Sequence, residues 1–293
     1  MIVPGEQRSG REAGLLVYPV LSRRSGGLSL GVNLFPDAKS CSFDCPYCEV
    51  FVPSGPSHGF SLAKLKAELE DFLDRVYPES WAPEPLRNVC VSGNGEPTVS
   101  AQLGDALGLC ADFRRSHPDI LAKVPLVLIT NSTGFLDPNL SALLGRFSRD
   151  EGLGIWAKLD GGNQAMFRRM SGEGIPLEGI AEGILSFARH HPVVIQTMLC
   201  EVEGRSPTDA DLADYAGLLS RLIAGGARVD EVHLYTYARP SPGGNCAPLD
   251  DGTLLRHSAF VRAATGLRVR AFGTRSELHP QSPGGQVRGA AGG

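Results

Sequence analysis

Short apolar runs alternate with amphipathic stretches along most of the chain, and few folds accept that alternation. Strand-like runs of Val, Ile and Leu, bounded by turn formers, occupy residues 28–34, 88–92, 125–130, 154–159, 193–199 and 231–237, with a last one at 267–272. Helix-like stretches lie between them. In residues 61–75, Leu62, Leu65, Leu69, Phe72 and Leu73 share one side, and Ser61 is placed to cap the start. Residues 101–115, 139–147, 177–188, 209–223 and 251–263 repeat the pattern. Before Asp209, Ser206 or Thr208 is a candidate cap, and Pro207 suits a first helical position. Six β–α alternations imply parallel strands joined by crossover helices. An open doubly wound sheet satisfies them, and so does a barrel or partial barrel. Both gather ligands at the carboxyl ends of their strands.

The chain has 293 residues, 42% of them hydrophobic and 20% charged. That suffices for a sizeable core, and a single α/β barrel needs about 250 residues. One domain is expected over residues 13–275. The flanking 1–12 and 276–293, polar or rich in Gly and Pro, read as disordered ends. A formal net charge of -4 gives no support for broad electrostatic capture of nucleic acid. No run approaches the ~18–20 apolar residues of a membrane span, and the first ten residues lack the apolar core of a secretory signal. A cytoplasmic protein without membrane contact is therefore expected.

Chemistry concentrates in Cys41-Ser-Phe-Asp-Cys45-Pro-Tyr-Cys48, just after the first strand-like run. Three cysteines at C-x3-C-x2-C spacing offer three thiolates from one loop. A [4Fe–4S] cube has four irons, so such a loop leaves one iron open, as catalytic metal sites leave a position for substrate. A structural zinc site is the alternative; it needs a fourth ligand such as His58, at a spacing that matches no common finger. Cys90, Cys110, Cys200 and Cys246 are scattered, which fits a reducing compartment better than a disulfide framework.

Further polar residues fall at strand ends. Gly93-Asn94-Gly95-Glu96 follows the second run; its glycines permit close backbone approach to a ligand, and its carboxylate can accept from an ammonium group. Taken without the cysteine loop, the segment reads first as a plain strand-to-helix turn shaped by Pro97 and Ser100. Asn131, in Thr130-Asn-Ser-Thr133, could meet ribose hydroxyls or a carboxylate, or only cap the next helix. Lys158 and Asp160 share a face by alternation. Gln196 interrupts an apolar strand and needs hydrogen-bond partners, by default its polar neighbours. Tyr235, Tyr237 and Arg239 alternate on the sixth run: an aromatic there could flank adenine and Arg239 could bind an anion. Arg23 and Arg24 could meet a phosphate or carboxylate, or only solvent.

The C-x3-C-x-aromatic-C loop, with Tyr47 as its aromatic, resembles the radical S-adenosylmethionine superfamily. The likeness extends over roughly residues 18–272. Segments Ser22-Arg-Arg24, Ser29-Leu-Gly-Val-Asn33, Ser92-Gly-Asn-Gly-Glu-Pro-Thr98, Leu128-Ile-Thr-Asn-Ser132, Lys158-Leu-Asp160 and Tyr235-Thr-Tyr-Ala-Arg-Pro240 are most similar to the wyosine-type tRNA-modifying subgroup and its uncharacterised relatives. The resemblance implies a partial (βα)6 TIM-like barrel and a [4Fe–4S] cluster on Cys41, Cys45 and Cys48. It also implies that S-adenosylmethionine chelates the fourth iron and is cleaved reductively to a 5′-deoxyadenosyl radical. An electron donor such as flavodoxin or ferredoxin is implied as partner. The superfamily's Gly-Gly-Glu segment, which holds the methionine amino group, is matched by Gly93, Asn94, Gly95 and Glu96, with Asn94 in place of its first glycine. Tyr47, Asn131, Lys158, Asp160 and Tyr235 are implied around the cofactor. The substrate is open: a tRNA base, a peptide or protein side chain, or a small metabolite.

Overall fold

A computed structural model describes residues 14–172 and 174–279. Readings made for residues 1–12 and 280–293 lie outside the described residues. Nine strands form one sheet, and its seven central members are parallel: β2 (Gly27–Val32), β3 (Leu86–Val91), β4 (Leu126–Thr130), β5 (Gly154–Lys158), β6 (Val193–Met198), β8 (Val229–Tyr235) and β10 (Val269–Phe272). An antiparallel strand closes each edge, β1 (Val17–Ser22) against β2 and β11 (Glu277–Leu278) against β10. Two short strands, β7 (Cys200–Val202) and β9 (Cys246–Pro248), form a separate antiparallel pair. The sheet curls into a half-barrel, so the partial-barrel expectation holds and the open doubly wound alternative does not.

Helices α1 (Leu62–Asp71), α2 (Leu103–Ser116), α3 (Pro138–Asp150), α4 (Gln164–Ser171), α5 (Leu177–Ala188), α6 (Asp209–Ala224) and α7 (Asp251–Thr265) fall between the parallel strands. They lie against the outer face of the sheet, where alternate residues such as Leu28, Leu30, Val32, Leu126 and Leu128 are fully buried. Each such side chain is worth roughly 1.5–3 kcal/mol relative to exposure. The inner face carries the other alternation: Ser29, Asn88, Lys158, Gln196, His233 and Tyr235. Apolar side chains such as Val127, Ile129, Trp156, Met198 and Phe272 share this face; a packed barrel core would be apolar throughout, so the charged and hydrogen-bonding groups among them mark a candidate binding lumen. Gly31 sits on this face because the ring of Tyr18, its partner in β1, occupies the space a Cβ would need, 2.3 Å from Tyr18 Cζ.

Several boundaries differ from the sequence reading. Ser61 caps α1 as expected, accepting from Lys64 N, but the helix runs on as a wider π-helical segment, Phe72–Trp81, despite Pro78 inside it. Thr208, not Ser206, caps α6 in a reciprocal box with Asp211, so Pro207 lies before the cap rather than at the first helical position. β1 and α4 had no prior assignment, and β11 carries the sheet past residue 275. Among the described residues no helix is long and apolar enough to cross a membrane.

Candidate functional site

The cysteine loop leaves the carboxyl end of β2 and is tied to three neighbouring strand ends. At β3, Ser40 N donates to Asn94 O (3.2 Å) and Glu96 N to Ser40 O (2.8 Å), a short parallel bridge between Ser40 and Gly95. At β4, Asn131 Nδ2 donates to Ser42 Oγ (2.8 Å) and approaches Cys41 Sγ (3.8 Å). At β5, the Tyr47 hydroxyl donates to Asp160. Within the loop, Cys48 N donates to Cys45 O at 3.0 Å, closing a turn over Pro46 and Tyr47.

Gly95 has a specific reason to be glycine. A Cβ there would lie 1.9 Å from Ser40 O and 2.8 Å from Phe35 Cδ2. A Gly95→Ala substitution should therefore push the loop off the strand end and destabilise the fold by about 1–3 kcal/mol. Hydrogen exchange would show lost protection at the Glu96 amide; unchanged protection there would refute the bridge as the loop's anchor.

Glu96 is 3% exposed and fully engaged. Its two oxygens accept from Thr98 N (3.1 Å), Thr98 Oγ1 (2.7 Å), Thr130 Oγ1 (2.6 Å) and Asn131 N (2.6 Å). Burial raises its pKa, and the bonds from Asn131, Thr130 and Thr98 oppose that rise. This carboxylate clamps the end of β3 to the end of β4, so any incoming ammonium group competes with four donors. Asn94 is buried likewise, its backbone N donating to Asn33 Oδ1 (3.1 Å) and its side chain to Phe35 O (3.1 Å). Gly93 takes φ +148°, a conformation that favours glycine, with Asn33 packed where a Cβ would be.

Lys158 and Asp160 do line the lumen and pair at 2.9 Å, both largely buried. Lys158 Nζ also donates to Tyr235 Oη (2.6 Å) and lies 5.0 Å from the centre of the Tyr47 ring. Burial works against the ammonium's charge, but Asp160 and then Tyr235 override it and hold its pKa above the ordinary value. Burial, and next the charge of Asp160, pushes the Tyr47 phenol up, which keeps it a donor. Asp160 Oδ1 further accepts from Met198 N at 2.7 Å.

Beneath this group runs a chain of polar contacts that the sequence reading left incomplete. Arg24 reaches in from the β1–β2 turn, donates to Gln196 Oε1 and lies 4.5 Å from the centre of the Tyr235 ring. Gln196 Nε2 donates to His233 Nδ1 (3.0 Å), and His233 Nε2 donates to Glu231 (2.5 Å). The partners of Gln196 are thus neighbouring polar side chains. His233 and Glu231 were not singled out, although with Tyr235 they show the period-two spacing that marked Lys158 and Asp160. Arg239 pairs with Glu49 at 3.0 Å. Cys200 and Cys246 are diagonal neighbours on one face of the β7–β9 ladder, opposite Pro248 and Val202 respectively. Tyr237 Oη accepts from Ser241 N (2.6 Å), a local turn contact.

The donor chemistry of the loop suits a soft metal centre. Asp44, its one internal carboxylate, is paired with Lys39 at 2.8 Å, which leaves Cys41, Cys45 and Cys48 as its ligating side chains. Burial pushes the Cys45 thiol up to about 12, with Lys158 acting the other way. Among the described residues no group of three or more His, Cys, Asp or Glu side chains is gathered closely enough to hold a metal ion. A bound cluster would have to turn the three thiols towards one point. His58 is exposed, and its backbone N donates to Asp37.

No protein-family model matches the chain. It is 27% identical over 244 residues to a UPF0026 protein of Helicobacter pylori, covering 83% of this chain and 72% of that one. A UPF0026 protein of Synechocystis is 29% identical over 235 residues, covering 77% of each. Among solved structures, a radical SAM methyltransferase from Sphaerobacter thermophilus superposes with a TM-score of 0.63 at 14% identity, covering 94% of this chain and 83% of that one. Streptococcus suis SuiB, solved bound to S-adenosylmethionine, superposes with a TM-score of 0.58 at 11% identity, covering 83% of this chain and 50% of SuiB, so the chain spans half of SuiB's length. At these identities the likeness is one of fold: the chain has the half-barrel architecture found in these radical SAM proteins.

Proposed function

We propose that this chain is a radical S-adenosylmethionine enzyme. The observation that carries the reading is a three-thiol loop suspended across the strand ends of a half-barrel whose inner face holds charged and hydrogen-bonding side chains. Cys41, Cys45 and Cys48 would hold a [4Fe–4S] cluster with one iron left for S-adenosylmethionine. When bound, the reduced cluster supplies the electron that breaks the sulfonium S–C5′ bond. The protein's own residues orient and enclose. Ser40, Asn131 and Asp160 hold the loop. The backbone of Gly93, Asn94 and Gly95, held by Asn33 and Ser40, would border the methionyl end, with Glu96 clamping the strand end beside it. Lys158 and Tyr235 line the lumen below Tyr47. Flavodoxin or ferredoxin is the proposed class of electron donor. Placement near the wyosine-type tRNA-modifying enzymes rests on the sequence segments alone.

The test is direct. After anaerobic reconstitution with iron and sulfide, reduction with dithionite in the presence of S-adenosylmethionine should release 5′-deoxyadenosine. A non-catalytic iron–sulfur carrier would show the cluster's absorbance without that product, and a zinc module would show neither. Either result would overturn the proposal.

A further inference from the structure

Two arginines at the lumen lack the counter-charge that their setting demands. Arg23 and Arg24 sit in the β1–β2 turn, both only partly exposed. Among the described residues each makes one hydrogen bond, and each acceptor is neutral: Arg23 donates to Gly273 O beyond the end of β10, and Arg24 to the amide oxygen of Gln196. Among the described residues neither has a carboxylate at ion-pair distance. The neighbouring charges are already matched, Lys158 by Asp160 at 2.9 Å and Arg239 by Glu49 at 3.0 Å. Burial, followed by repulsion from Arg24 and Arg239, lowers the Arg23 pKa to about 10, while Glu49 opposes that shift. Withdrawing guanidinium groups from water beside like charges is costly unless an anion joins them. Gln196 presents its amide oxygen to Arg24 while its amide nitrogen faces His233 Nδ1, so the acceptor offered to Arg24 is neutral.

The position of the pair ties it to the chemistry. Arg24 lies over the Tyr235 ring, and the Tyr235 hydroxyl accepts from Lys158, which lies over the Tyr47 ring of the cysteine loop. Glu49, which acts on Arg23, directly follows Cys48. We propose that Arg23 and Arg24 form an oxyanion subsite that orients the substrate by a phosphate or carboxylate group inside the half-barrel. The substrate role rests on the radical-enzyme reading above; the anion site itself does not. Guanidinium forks suit both groups, which they can engage bidentately. The site lies within the lumen, which favours a small anionic molecule entering the barrel over a nucleic acid held across the surface.

The experiment uses the full-length chain without metal. Thermal unfolding midpoints are measured with inorganic phosphate, with acetate, and with chloride at matched ionic strength, since a ligand of the folded state raises the midpoint in proportion to its occupancy. Phosphate, acetate or both should raise the midpoint beyond chloride; phosphate alone assigns a phosphoryl group, acetate alone a carboxylate. Arg24→Gln and Arg23→Gln should each weaken the effective anion at least tenfold. Each variant is compared with itself with and without anion, so a change in its basal stability does not enter. No gain over chloride in the wild type, or an undiminished gain in both variants, would overturn the site. Because no cluster is involved, failure here leaves the radical reading standing, and absence of 5′-deoxyadenosine leaves this site standing.

Discussion

A Lys158→Met variant is expected to lose about 3–5 kcal/mol of stability, the usual cost of removing one partner from a buried ion pair. The Lys158 and Asp160 side chains are 15% and 4% exposed, so water cannot replace the missing ammonium. Asp160 would keep its bonds from Met198 N and Tyr47, which puts the loss towards the lower end of that range. At about 2–4 °C per kcal/mol, the midpoint should fall by roughly 6–12 °C. The pH dependence has a definite sign. Lys158 has a folded pKa above its ordinary value, so its contribution is complete below about pH 10.5 and fades only as pH rises through the folded value. The gap between variant and wild type should therefore be flat across neutral pH. Replacing both residues, Lys158→Met with Asp160→Leu, should recover part of the loss, because a buried pair exchanged for apolar side chains leaves no orphaned charge. If the double variant is as unstable as the single one or worse, the cost comes from packing and the ion-pair account is wrong.

The second large effect concerns the loop itself. Cys45→Ala should abolish cluster assembly: the reconstituted wild type is expected to hold about four irons per chain, and the variant well under one. Cys110→Ala is the control. Cys110 is fully buried in α2, so its loss leaves a small cavity and lowers stability without touching the loop. Iron analysis and the cluster's visible absorbance would separate the two. A Cys45→Ala chain retaining wild-type iron would remove Cys45 from the ligand set and with it the three-thiol premise.

The seven parallel strands were all legible in the sequence, because each is a short run containing Val, Ile or Leu with turn formers at its ends and needs no partner to be recognised. The hairpin strand β1 was not. Val17–Ser22 contains Pro19, which weakens a strand reading, and it is held by pairing with β2. Helix α4 escaped for a related reason: it is only eight residues long, begun by the Asn163 side chain accepting from Met166 N, and too short for its period to stand out. At the site, the thiol loop and the Lys158–Asp160 pair could be read from spacing and alternation. The clamp role of Glu96 could not, since its partners Thr130 and Asn131 lie 34 and 35 residues away.

Composition and local pattern alone determined an α/β chain with parallel strands, a thiol-rich loop after the first of them, and polar side chains at strand ends. These are properties of neighbours along the chain, where periodicity and turn chemistry act. Only the tertiary structure decided which polar groups meet. Tyr47 reaches Asp160 across 113 residues, and Arg24 reaches Gln196 across 172. Those pairings depend on strand order and on the curl of the sheet, which turns one face of every strand towards a common lumen. Curvature of that kind arises from packing summed over the whole sheet, and no single segment encodes it.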